Sequence, residues 1–166
     1  DLSGARVALE QSLAIQAEVY GADKHPSVAA SLHTLGVVLQ AQGDLPGARA
    51  ALERSLAILA DVHETDRHPG VAASLNALGG VLRAQGDLTR ARVALDRSLT
   101  IEADLYGTDK HPGVSASLHA LADVLQAQGD LAGARVALER SLEIQAAVYG
   151  TDKHPDTAIS LHTLGG

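Results

Sequence analysis

Cysteine, Phe and Trp are absent from this chain, and the only aromatic rings besides its His side chains are three Tyr. Without thiols there can be no disulfide, no thiolate metal site and no cysteine nucleophile, and a disulfide-stapled secreted scaffold is excluded. With so few rings, the core has to be aliphatic, built from Leu, Ile, Val and Ala. Long apolar runs are missing too: none approaches the ~18 residues that a membrane span requires. No signal peptide is visible, so the expected location is the cytoplasm. Positive charge is in deficit, with 13 Lys and Arg against 20 Asp and Glu, a net of −7. That balance disfavours nucleic acid and anionic membranes as partners, since both call for a basic face. The chain opens on Asp1 rather than Met, which leads us to expect a segment of something longer.

What is present is repetition. The His-Pro pair recurs at His25-Pro26, His68-Pro69, His111-Pro112 and His154-Pro155, every 43 residues. A second, unrelated motif, Gln-Gly-Asp-Leu, recurs at Gln42 to Leu45, Gln85 to Leu88 and Gln128 to Leu131 with the same period. Two motifs sharing one interval mark a repeat architecture, which has to be recognised before any other feature is weighed.

Each unit reads as two helices. The first begins at Pro26, suited to the first helical position because its missing N–H has no intrahelical partner there. Val28, Leu32, Leu35, Val38 and Leu39 follow at helical spacing as one apolar stripe. Gly43 ends the helix as a left-handed cap. Asp44 is then an N-cap whose carboxylate accepts from the exposed N–H groups of the second helix. Leu45, Ala48, Leu52, Leu56, Ile58 and Leu59 form the second stripe. Gly-Thr-Asp-Lys-His-Pro makes the return loop in later copies, after Tyr106 and Tyr149. One hairpin cannot hide both its faces, so neighbours must stack. The expected fold is all-α: an α-solenoid of stacked antiparallel helix hairpins with nearest-neighbour energetics.

Residues 1–166 are thus expected to form a single repeat domain. A second-type helix and its loop occupy 1–25, hairpin units occupy 26–68, 69–111 and 112–154, and a truncated first-type helix occupies 155–166.

The spacing Leu32-x-x-Leu35-Gly36-x-x-Leu39, then Ala48-x-x-x-Leu52, resembles the tetratricopeptide repeat, with Leu in place of its usual aromatics. Leu75, Leu78, Gly79, Leu82, Ala91 and Leu95 carry the likeness in the next copy, and Leu118, Leu121, Ala122, Leu125, Ala134 and Leu138 in the one after. His68 to Leu78 is similar to the long-period repeats of kinesin light chain and of many bacterial multi-repeat proteins. The resemblance implies a right-handed superhelix, close helix contact at the small residues, and a scaffold for protein–protein interaction whose concave face is built from first helices. One departure is plain. Kinesin light chain repeats carry two consecutive Asn on the first helix; here only Asn76 matches the first, and Thr34, Ala77, Ala120 and Thr163 hold the second place. Cargo recognition of that type does not transfer.

On the first helices His33, Asn76, His119 and His162 hold one equivalent position and make a polar row. Val37 and Gln40, Gly80 and Arg83, and Asp123 and Gln126 share its face. These side chains vary between copies while the packing residues barely change, as a recognition surface would, and they form the candidate groove for a peptide or protein segment. The two ends of the chain suggest an alternative. Leu2, Leu9 and Leu13 at the start and Leu161 and Leu164 at the end match residues that are internal elsewhere. Head-to-tail self-association through them would extend the solenoid, a heterologous contact that propagates.

Chemistry finds little support. Eight His invite a metal reading, but no pair has the i, i+4 spacing of a helical zinc site, and equivalent positions on packed helices stand about 10 Å apart. Arg6, Arg49, Arg92 and Arg135 each precede an acid four residues on, which is ordinary surface pairing. Ser12, Ser55, Ser98 and Ser141 recur where the repeat has Ala, and close packing accounts for them better than catalysis, which would not be copied in every unit. The loop Gly-Thr-Asp-Lys lacks the frame of a phosphate cradle. Neither enzymatic activity nor a metal or cofactor is expected.

Overall fold

The structure, a computed structural model, describes residues 2–20, 25–63, 67–107 and 111–149. Among these residues the chain forms helices only, in the order α1 (Leu2–Tyr20), α2 (Pro26–Ala41), α3 (Leu45–Val62), α4 (Pro69–Ala84), α5 (Leu88–Tyr106), α6 (Pro112–Ala127) and α7 (Leu131–Tyr149). The even-numbered helices are first-type and the odd-numbered ones second-type.

Local chemistry sets each boundary. Pro26, Pro69 and Pro112 open the first-type helices, and the His before each is the N-cap: its Nδ1 accepts from the N–H two residues on, at 3.2 Å for Ser27, 3.0 Å for Gly70 and 3.1 Å for Gly113. The same rings stack on the end of the preceding helix, with centroids 4.0 Å apart for Tyr20–His25, 4.0 Å for His63–His68 and 3.6 Å for Tyr106–His111. One side chain thus caps a helix and staples it to its predecessor. At the other end Gly43, Gly86 and Gly129 take φ of 82°, 84° and 84°, the left-handed geometry that releases the chain into the next turn. Asp44, Asp87 and Asp130 then cap the second-type helices, accepting from Gly47, Arg90 and Gly133 at 3.0, 3.1 and 2.9 Å.

Within a unit α2 packs on α3, α4 on α5 and α6 on α7; between units α1 packs on α2, α3 on α4 and α5 on α6, while α2 also touches α4 and α4 touches α6. This is a solenoid of stacked helical hairpins. Close approach within a hairpin depends on Gly36 and Gly79, where an added Cβ would lie 2.6 Å from the Cγ of Leu52 and of Leu95. Those leucines, with Ala48 and Ala91, are fully buried. Truncating either leucine to Ala removes transfer energy and opens a cavity, a loss of about 2–5 kcal/mol.

A buried polar ladder runs through this aliphatic interior. Ser55 and Ser98 each donate to a first-helix carbonyl, Ala29 and Ala72, at 2.8 Å. They also meet the serines of the following unit, Ser74 at 3.3 Å and Ser117 at 3.4 Å. In the last described hairpin Ser141 bonds Ser115 at 2.8 Å. The repeated serines therefore tie helices together, a role beyond close packing.

Candidate functional site

The first-type helices α2, α4 and α6 lie side by side, and the candidate groove residues meet across their seams. His33 Nδ1 on α2 is 3.2 Å from Ser74 Oγ on α4, and Asn76 on α4 donates through Nδ2 to Ser117 Oγ on α6 at 2.6 Å. Gln40 lies over Gly80, where a Cβ would come within 3.2 Å of its Nε2. Arg83 and Asp123 form an ion pair from α4 to α6 at 3.5 Å. Val37 is exposed, His119 half-buried and Gln126 exposed. His162 lies outside the described residues. The row is therefore a set of inter-unit links with one face to solvent.

Burial shifts the ring of His33 below its usual pKa, so it is neutral near pH 7 and can share a proton with Ser74. The pKa of His68 is also lowered, by burial and then by the neighbouring His63.

Between α2 and α4 there is a cavity of about 230 Å³, lined among others by Ala30, His33, Leu59, Gly70, Ala73 and Ser74. Its walls come from two adjacent first-type helices, its floor from Ser55 and Leu59 of α3. The lining is mainly apolar, with the hydroxyls and the two rings His33 and His68 as its polar points.

Sequence reasoning passed over the floor. Ser74 and Ser117 recur with the same period as Ser55 and Ser98, and that second series was the available signal. Glu102 was also missed: it stands in the register of Leu59, Gln16 and Gln145, a carboxylate where an apolar stripe is expected. It is buried, and desolvation raises its pKa while a hydrogen bond with Ser117 opposes the rise.

At the chain's start, Leu9 and Leu13 are half-buried and pack against the core. Leu2 is 46% exposed. The residue laid bare is Ile15, 62% exposed where Ile58, Ile101 and Ile144 are 3%, 5% and 4% exposed. Ser55, on the same face of α3, bonds to the preceding α2; among the described residues no helix precedes α1 to cover this face. Leu161 and Leu164 lie outside the described residues.

Among the described residues no group of three or more His, Asp or Glu is placed to hold a metal ion, and no helix is long and apolar enough to cross a membrane. The surface pairs Arg6–Glu10, Arg49–Glu53, Arg92–Asp96 and Arg135–Glu139 form at 2.8, 2.7, 3.7 and 2.8 Å.

Hairpins stacked on a fixed period, with small residues where helices touch, define the class of helical repeat scaffolds. The sequence profile of the tetratricopeptide repeat matches residues 2–61, 70–147 and 113–166, and the chain belongs to that family. A kinesin light chain-like protein of Podosopora anserina with nearly identical TPR-like repeats is 34% identical over 97% of this chain and 74% of its own, with a TM-score of 0.78. A single-substitution variant of that protein gives 33% identity, the same coverage and a TM-score of 0.79. BtubC (BKLC) of P. vanneervenii is 25% identical over 93% of this chain and 60% of its own, with a TM-score of 0.79. No curated protein matches. The repeats are of the kinesin light chain-like kind, and the family supports a scaffold for protein–protein interaction or assembly.

Proposed function

We propose that the face made by α2, α4 and α6 is a groove that receives a peptide or protein segment, as part of a larger protein. The observation that carries this reading is the cavity of about 230 Å³ between α2 and α4, which lies on the candidate row at His33. It is concave, largely apolar and edged by a few polar groups, the make-up of a binding pocket. The hydrogen bonds behind the row, from the serine ladder, hold its walls in place before any ligand arrives. The reading is tested with a displayed random-peptide library selected on the wild-type chain. His119→Ala with Asp123→Ala should weaken the selected peptides while the helical circular dichroism is retained. Selected peptides that bind this variant and a groove-blocked Ala73→Trp variant as tightly as wild type would refute it.

A second reading is supported by Ile15. Its face on α1 is the one that a first-type helix covers in each internal copy, so a first-type helix of a second molecule could seat there and continue the solenoid. Light scattering across a concentration series checks this: mass should rise with concentration and stay monomeric for Ile15→Asp. A wild-type mass independent of concentration refutes it.

A further inference from the structure

The groove leaves one buried charge unexplained, and the following inference rests on the groove reading. One register near the end of each second-type helix holds Gln16, Leu59, Glu102 and Gln145, spaced by 43 residues, and at Leu59 and Glu102 it meets the next first-type helix, beside Gly70 and Gly113. Leu59 and Ser55 floor the cavity between α2 and α4. Moved on by one period, the equivalent positions between α4 and α6 are Ser98 and Glu102 below, Asn76 on α4, and Gly113 and Ser117 on α6.

Glu102 is only 6% exposed. Its Oε1 stands where a Cβ on Gly113 would come within 2.8 Å, and Ser117 hydrogen-bonds the carboxyl. Its Oε2 is buried with no hydrogen-bond partner. The arginines that flank α4 are committed elsewhere, Arg67 to Asp104 at 3.2 Å and Arg83 to Asp123 at 3.5 Å. Among the described residues no ion pair is made by this carboxylate, whereas a buried acid is ordinarily accompanied by a cation. Gly113 matters here because, like Gly70 beside Leu59, it leaves the floor side chain uncovered by a Cβ from the wall.

We propose that the gap between α4 and α6 is a socket for a cationic side chain, Lys or Arg, of a bound extended segment, with Glu102 as its acceptor. The neighbouring gap, with Leu59 in the same register, takes an apolar side chain. Packed helices stand about 8–10 Å apart, and a chain extended as polyproline II rises about 3.1 Å per residue with three residues per turn, which puts residues three apart on one face. The two sockets therefore read positions three residues apart: an apolar residue and, three places along, a Lys or Arg. The acidic balance of the chain, −7, draws such a segment in.

The experiment selects a displayed random-peptide library in parallel on the wild-type chain and on Glu102→Leu, whose new side chain the fold already accommodates in this register at Leu59. Selected peptides are then synthesised with Lys and with acetyl-lysine and their Kd measured by fluorescence anisotropy. The expected result is enrichment of Lys or Arg three places from an apolar residue on wild type only, with Kd weakened at least tenfold by acetylation and by Glu102→Leu. Groove-binding peptides without that enrichment, or with Kd unchanged by acetylation and by Glu102→Leu, overturn this inference and leave the groove standing. A library that yields no binder overturns both.

Discussion

Replacing Glu102 with Leu removes a buried carboxylate and installs the side chain that position 59 already uses. The wild-type residue is 6% exposed, and Leu59 in the same register is 5% exposed, so the two sites enclose a side chain to the same degree. Oε2 of Glu102 has no partner, and a buried polar group left unsatisfied costs about 1–3 kcal/mol. Losing the Ser117 bond takes back part of that gain, about 1 kcal/mol. Glu102→Leu should therefore stabilise the fold at pH 7 by about 1–2 kcal/mol. The dependence on pH has a definite sign. An unfolded Glu titrates near 4.3, whereas burial raises the carboxyl in the fold. The native state then holds its proton to higher pH than the unfolded state. The stability linked to that proton is complete below about pH 4 and is lost as pH rises through the folded value. The variant has no such slope, so its advantage should grow from pH 4 to pH 7. Urea unfolding at both values reads this as a midpoint shift at constant slope. A variant less stable than wild type at pH 7, or an advantage that does not change with pH, refutes the reasoning.

Gly86 has φ of 84° and nothing within 4 Å of a built Cβ, so Gly86→Ala should cost about 1–2 kcal/mol from backbone strain alone, seen as a lower Tm with helicity unchanged. His63→Tyr restores the ring that neighbouring copies place at the staple and removes a group that depresses His68; a gain of about 0.5–1.5 kcal/mol is expected, and a loss in urea unfolding would contradict the stacking argument. His33 and His68 both sit below the usual value, so the fold favours their neutral forms. Their contribution is complete above about pH 6.5 and is lost as pH falls through the folded values. Tm should accordingly drop between pH 7.5 and pH 5, and less steeply in His33→Asn/His68→Asn, where neither position titrates.

Much of this was legible in the residues, for a specific reason. His25-Pro26, Gly43 and Asp44 act on their own backbone, so their spacing alone predicts where helices start and stop, and the structure has Pro26, Leu45, Pro69, Leu88, Pro112 and Leu131 as first residues. The stripes were as clear, because a Leu every three or four positions has one way to leave water. What sequence reading lacked was register between units. Ser74 and Ser117 acquire meaning only when the next hairpin sets them against Ser55 and Ser98, and Ile15 becomes notable only beside the covered Ile58. For the same reason the half-burial of Leu9 and Leu13 emerges only once α2 is set beside α1.

Glu102 shows how a site can stand out from a scaffold whose other positions obey local rules. Neighbouring copies agree with their surroundings: Leu fills an apolar floor at position 59, Gly permits contact at 36 and 79, Asp caps each second-type helix. A carboxylate in a position that packing would give to Leu conflicts with that consistency, and such conflicts concentrate where function sets the residue. Gln16 and Gln145 hold the same register, each with a buried Oε1 that lacks a partner. Among the described residues this register lies beneath two neighbouring first-type helices at two places, Leu59 under α2 and α4 and Glu102 under α4 and α6. A bound segment that offers a cationic donor at Glu102 and an apolar side chain at Leu59 satisfies both at once. One that reverses this order buries a donor against Leu59 and leaves Glu102 uncompensated. The floor therefore discriminates between ligands by what it would leave unpaired, and the cost falls hardest at Glu102, where the unpaired group is a charge.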